Sequence, residues 1–302
     1  MAQVAQPRER LTTGVVAATL TPLRPDGMPD IALLLEHCRG LLARGCTSIV
    51  LLGTTGEANS FTVAERQSIA EGVRGALPAD KLIVGTGCCA SGDTIALTRH
   101  ALSLGITRAL VLPPFYYKKV SDDGIFDAFV AAIEGVGDER LRIYLYLIPQ
   151  FSGIEMSVGL IERLSLAFPN QIAGLKDSSG QWPATQTLCR ALGARMDVLV
   201  GSETFLHRAL AEGASGCVSA TANVNAARIT ELFAQYNSPG ATSLEQRVDA
   251  TRAAFEKYPM VPALKAYLAA TSGNGTWRNV RPPLRPLSGE ETQALMKEAA
   301  AT

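Results

Sequence analysis

Eight apolar runs rich in β-branched residues recur along this chain, each followed by a segment with helical periodicity. That recurrence narrows the folds open to it more than any other feature. The runs are Val15–Pro22, Ser48–Thr55, Lys81–Gly87, Arg108–Phe115, Arg142–Gln150, Ile172–Ser179, Met196–Glu203 and Gly216–Asn223, beginning 20 to 34 residues apart. Such spacing is the length of a strand–helix unit. Their apolar character is continuous rather than alternating, so both faces of each strand are to be covered. Eight consecutive units predict an α/β protein, a (β/α)8 barrel. A doubly wound sheet is the competing layout, because Gly85-Thr-Gly87-Cys-Cys-Ala90 fits a dinucleotide-binding fingerprint. That stretch follows the third strand and no acid ends the next one, so its glycines read as close packing at a barrel rim.

Punctuation between the runs supports the helices. Apolar positions 31, 34, 35, 38, 41 and 42 line one face of a helix that stops at Gly45. Thr62-Val-Ala-Glu65 matches a capping box, and Ser91, Ser121 and Ser157 are candidate N-caps. Gly105 and Pro169 mark stops. After Asn223 the pattern changes, with helical segments at Ala226–Tyr236, Ser243–Lys257, Val261–Thr271 and Gly289–Ala300 and a Pro/Gly-rich connector from Ser272 to Pro286. Residues 1–12 therefore read as a flexible N-terminal arm, 13–224 as the barrel strands and helices, and 225–302 as a barrel-closing helix with a C-terminal helical region.

Composition removes several functions. Acidic and basic residues balance at 28 each, which argues against nucleic-acid or membrane-surface partners held by charge. No apolar window suffices for a membrane helix, and MAQVAQPRER lacks the apolar core of a signal peptide. Cys38, Cys46, Cys88, Cys89, Cys189 and Cys217 show no C-x-x-C spacing, and His37, His100 and His207 show no metal-ligand pattern. A reduced, cytoplasmic protein without a metal is the expectation.

Chemistry points to the ends of the strands. Ile172-Ala-Gly-Leu-Lys176-Asp-Ser-Ser-Gly180 runs from a buried strand into a turn, placing Lys176 where such folds keep their reactive groups. A lysine that snorkels outward and pairs with Asp177 is the plainer reading. Gly53-Thr54-Thr55-Gly56-Glu57 offers two hydroxyls and glycine-flanked N–H groups as a carboxylate cradle, or an ordinary polar turn. Tyr144 and Tyr146 share a face of the fifth strand, as proton relays or as core aromatics. Bringing a lysine to half-neutral near pH 7 takes about 4 kcal/mol, within what burial supplies. A neutral amine attacks a ketone to form an imine, whose protonated form stabilises a neighbouring carbanion.

With G-T-T-G-E, the Tyr116-Tyr117 pair, Y-x-x-P at the fifth strand, G-x-K-D at the sixth and Ser219–Val224, the chain resembles the dihydrodipicolinate synthase / N-acetylneuraminate lyase family. The likeness runs from about Thr13 to about Leu287 and includes the Met260–Lys265 stretch. It implies a barrel with a C-terminal helical part, assembled as a homo-oligomer (tetramer or dimer). It implies a Schiff-base lyase, aldolase or dehydratase acting on pyruvate or a related 2-oxo acid together with an aldehyde or sugar acid. No cofactor is implied beyond the covalent imine. Carried over by motif, Lys176 resembles the imine-forming lysine and Tyr146 the proton-shuttling tyrosine. Thr54 and Thr55 resemble the relay and the cradle, with Gly53 beside them, and Tyr117 a relay tyrosine that acts across a subunit interface. Gly201 and Val218 fall where the family lines its pyruvate pocket.

One position departs from that pattern. Synthases carry an arginine two residues after the proline of the fifth-strand motif, where this chain has Phe151; Leu147 likewise replaces a frequent asparagine. Phenylalanine offers no fork for a carboxylate, so the second substrate is expected not to be aspartate semialdehyde. A 4-hydroxy-tetrahydrodipicolinate synthase and a non-catalytic 2-oxo acid-binding protein remain the alternatives. A phosphate-handling aldolase is disfavoured by the acid in Gly201-Ser-Glu203.

Overall fold

A computed structural model describes residues 9–302. Its eight parallel strands close into a barrel in chain order: β1 Gly14–Ala18, β2 Ser48–Leu51, β3 Leu82–Gly85, β4 Arg108–Val111, β5 Arg142–Leu147, β6 Ile172–Asp177, β7 Asp197–Val200 and β8 Gly216–Ser219. Nearly every strand residue is buried, as continuous apolar runs require. All eight predicted strands form, but each stops two to four residues short of its apolar run. Several of the surplus residues stay buried beyond the strand's end, Leu20 and Leu52 among them. Leu52, for example, takes φ 57°, which no strand accommodates.

The chain divides into two compact units, one comprising the residues up to Gly14 together with Ile83–Val218, the other Val15–Leu82 with Ser219–Thr302. In the first, Ser121 and Ser157 cap the helices Asp122–Val136 and Val158–Ala167, accepting from the N–H groups of Gly124 and Leu160. Ser91 does not cap. Ala90 occupies that position, Ser91 is the first helical residue, and Thr94 instead accepts from the Cys88 N–H. Residues 1–8 of the predicted arm lie outside the described residues, and Thr12 at its end is 2% exposed. The Thr12 N–H donates to Asp197 Oδ2 at 2.8 Å, its hydroxyl lies 2.6 Å from the Tyr144 hydroxyl, and Arg108 donates to that threonine hydroxyl at 3.0 Å.

In the second unit the Thr62–Glu65 capping box forms as predicted. The helix after β8 spans Ala222–Gln235, four residues earlier than expected, with a kink at Asn225 (φ −129°). It is followed by Ala241–Glu256, Met260–Ser272 and Gly289–Ala300. Leu20, Phe255, Leu264, Trp277, Leu287 and Leu295 form one apolar cluster. At its edge His37 is buried 4.9 Å from the Trp277 ring, with Nε2 2.8 Å from Asn223 Oδ1. The same oxygen accepts from the Leu20 N–H, so the ring nitrogen is the donor and the neutral tautomer fits.

Burial lowers the His37 pKa from 6.5 to about 4. The unfolded chain therefore takes up a proton below pH 6.5 that the folded chain refuses, and stability falls as pH drops from 6.5 towards 4. Urea titrations across this window are expected to show a loss of about 3 kcal/mol, most of which His37→Gln removes. An equal loss in the variant would show that other groups carry it.

Candidate active site

The register of β5 and β6 sets Tyr146 directly beside Lys176, and neighbours paired in a parallel sheet project from the same face. Lys176 is 5% exposed, its Nζ 3.3 Å from the Tyr146 hydroxyl and 4.3 Å from the centre of its ring. An amine and a phenol thus share one buried location at the carboxyl ends of adjacent strands. Asp177 is not the lysine's partner. Alternation turns its carboxylate to the other face, where it accepts from the Ser179 N–H at 2.9 Å and from the Thr185 hydroxyl. The outward, Asp177-paired lysine is excluded by that geometry.

Tyr144, predicted to share a face with Tyr146, has a different environment. Its hydroxyl donates to Asp197 Oδ2 at 2.7 Å, and burial together with the Asp197 charge raises its pKa well above the ordinary tyrosine value. It belongs to the Thr12–Arg108 network. Gly201, just past β7, donates its N–H to the Asp177 carbonyl at 2.6 Å, and a Cβ there would lie 2.0 Å from Ser178 Oγ. Val218 is buried on β8.

Tyr116, Tyr117 and Phe151 face solvent. Tyr117 is 76% exposed and packs edge-to-face on Tyr116 at 5.3 Å; Phe151, on the short helix Pro149–Ser152, is 72% exposed. The Lys118 ammonium donates to the carbonyls of Phe115 and Ser152, tying the two loops together.

In the other unit, the Gly53–Glu57 turn is closed by the Glu57 N–H to the Thr54 carbonyl (3.1 Å) and the Ala58 N–H to the Gly53 carbonyl (3.2 Å). The Thr21 hydroxyl donates to the Gly56 carbonyl at 2.9 Å. Gly56 lets the chain pass close to its neighbours, since a Cβ would sit 3.0 Å from the Thr19 carbonyl oxygen. Thr55 is buried and Thr54 half-buried. Sequence reasoning missed what anchors this turn. Glu57 pairs with Lys265, and both side chains are buried. The two motifs were visible separately, but a pairing across more than 200 positions leaves no local signal.

A family model described as the dihydrodipicolinate synthetase family matches residues 11–302. A protein of Chloroflexus aurantiacus described as an uncharacterized DapA-like lyase is 36% identical over 294 residues, covering 97% of this chain and 96% of its own. The crystal structure of dihydrodipicolinate synthase from Agrobacterium tumefaciens superposes with a TM-score of 0.89 at 32% identity, over 96% of this chain and 99% of that one. N-acetylneuraminate lyase from Proteus mirabilis gives 0.86 at 27% identity, over 96% and 98%.

Proposed function

The chain belongs to the dihydrodipicolinate synthetase family, a class I aldolase-type lyase family, and from that premise we propose that it binds pyruvate or a related 2-oxo acid as an imine on Lys176. The observation that carries this reading is the Lys176 Nζ held 3.3 Å from the Tyr146 hydroxyl in a buried location.

The amine adds to the C2 carbonyl, and the hydroxyl of the resulting carbinolamine takes a proton and leaves as water, giving the protonated imine. Tyr146 is placed to move that proton. Loss of a C3 proton then gives an enamine, which attacks the aldehyde carbon of the second substrate. The new alkoxide takes a proton, and hydrolysis of the imine returns the amine; run backwards, the cycle cleaves the same bond. It balances with water and protons alone, so it calls for neither a metal nor a dissociable cofactor. By resemblance to the family's motifs, we give the keto acid's carboxylate to Thr55 and the Gly53 backbone, the proton relay to Thr54 and Tyr117, and the pocket lining to Gly201 and Val218. Tyr117, left in solvent in a single chain, suits a relay completed by a second copy in a homo-oligomer of cytoplasmic type.

Phe151 supports a second substrate without a carboxylate near its aldehyde. An exposed phenyl ring contributes apolar area and no charge-assisted hydrogen bond. The 32% identity to a dihydrodipicolinate synthase favours the synthase reading instead, and one pair of assays separates the two. Borohydride with pyruvate is expected to leave a reduced adduct on the Lys176 peptide, while aspartate semialdehyde is turned over at least about a hundredfold less efficiently than a typical enzyme's substrate. Enzyme-like condensation with the semialdehyde would reinstate the synthase. Absence of any adduct would overturn the Schiff-base reading.

A further inference from the structure

Two non-glycine residues in left-handed backbone bracket the threonine turn, Leu52 at φ 57° and Glu57 at φ 58°. Such a conformation persists only where the surroundings enforce it. At Glu57 the enforcement comes from the C-terminal segment. Lys265, on the helix Met260–Ser272, is 0% exposed; its Nζ donates to Glu57 Oε1 and, at 2.7 Å, to the Asn279 carbonyl. The other carboxylate oxygen accepts from the Arg281 N–H at 3.0 Å. Arg281 in turn donates from its guanidinium to the carbonyls of Gly27 (2.9 Å) and Ser60 (2.8 Å) and to the Glu65 carboxylate, above the Phe61 ring at 4.3 Å. Asn279 donates its side-chain amide to the Leu23 carbonyl at 2.8 Å.

A fully buried ion pair is a poor source of stability, since an apolar pair of similar volume commonly serves as well. Here each charge has two hydrogen-bond partners, and both are fixed on one backbone position, the residue that ends the turn. We propose that Lys265 is a positioning residue for the reaction. Gripping the Glu57 carboxylate, it fixes the Gly53–Gly56 turn in the conformation that presents Thr54 and Thr55. The inference rests on the role given above to those threonines.

The test uses Glu57→Gln/Lys265→Met, which removes both charges yet keeps an acceptor for the Arg281 N–H. Glu57→Asp, which draws the carboxylate back from Lys265, serves as the second variant should the first not fold. Glu65→Gln is the control, cutting the outer Arg281 ion pair. Displacing a positioned group by about 1 Å costs up to about a hundredfold. The double variant is therefore expected to melt close to the parent while its KM for pyruvate rises about tenfold and its borohydride trapping slows in proportion, with kcat changing less. Glu57→Asp is expected to follow the same direction, and Glu65→Gln to lower the melting temperature without moving KM. Parent-like KM and trapping in a folded Glu57→Gln/Lys265→Met or Glu57→Asp protein overturns the positioning role. Failure of the parent itself to trap pyruvate overturns the Schiff-base reading and this inference with it.

Discussion

Lys176→Met is expected to yield a folded barrel that forms no pyruvate adduct and turns over at least about a thousandfold more slowly than the parent. Methionine matches the length and shape of the lysine side chain, so the packing at the end of β6 is preserved. What disappears is the amine proposed to make the covalent bond, and no positioning of the neighbouring phenol replaces it. Stability is expected to stay level or rise, because a polar amine no longer has to be accommodated in a site 5% exposed. Lys176→Arg separates charge from nucleophilicity: the guanidinium stays protonated and cannot attack a carbonyl. Borohydride trapping read beside a thermal melt decides the matter. Turnover within about tenfold of the parent in a folded Lys176→Met protein would rule out an imine on this residue.

The second large effect is on stability. Asp197→Ala is expected to lower the unfolding free energy by about 3–5 kcal/mol. Its carboxylate accepts from the Thr12 N–H and from the Tyr144 hydroxyl, and Arg108 reaches the same network through Thr12. Removing it leaves a buried phenol and a backbone donor without their common acceptor. Asp197→Asn keeps one acceptor oxygen and is expected to lose about 1–2 kcal/mol. The same cluster predicts an alkaline limit. The Tyr144 pKa is raised in the fold, so above pH ~10 the unfolded chain releases a proton that the folded chain retains, and stability declines with rising pH. Tyr144→Phe is expected to flatten that decline. Urea unfolding at neutral and alkaline pH reads all three variants, and a loss below about 1 kcal/mol for Asp197→Ala would mean the network is solvated.

The barrel was legible because continuous apolar strands at unit spacing admit few arrangements, and all eight strands start on the predicted residue or within one of it. Strand ends were not legible. Leu20 and Leu52 are as buried and as apolar as the strands they follow, and hydrophobicity cannot show where a backbone stops pairing. Local capping chemistry was read correctly at Thr62, Ser121 and Ser157 and misread at Ser91, where a following threonine supplied the acceptor. At the site, period-two alternation could put Tyr144 and Tyr146 on one face but could not say that different partners lay at different depths. The same holds for Asp177, whose partner Thr185 lies on the next helix. Glu57 and Lys265 were each visible in a motif, yet only the fold brings them together.

The composition of the second unit has a consequence for biosynthesis. Leu20, near its beginning, packs in a cluster whose other buried members are contributed from Phe255 onwards, so for most of the time spent on the ribosome that cluster is incomplete. Completion of this half's core must wait for the last sixth of the message to be translated. A transcript cut short there would release a polypeptide with bare aliphatic surface, a natural client for holdase chaperones and proteases rather than a smaller working enzyme.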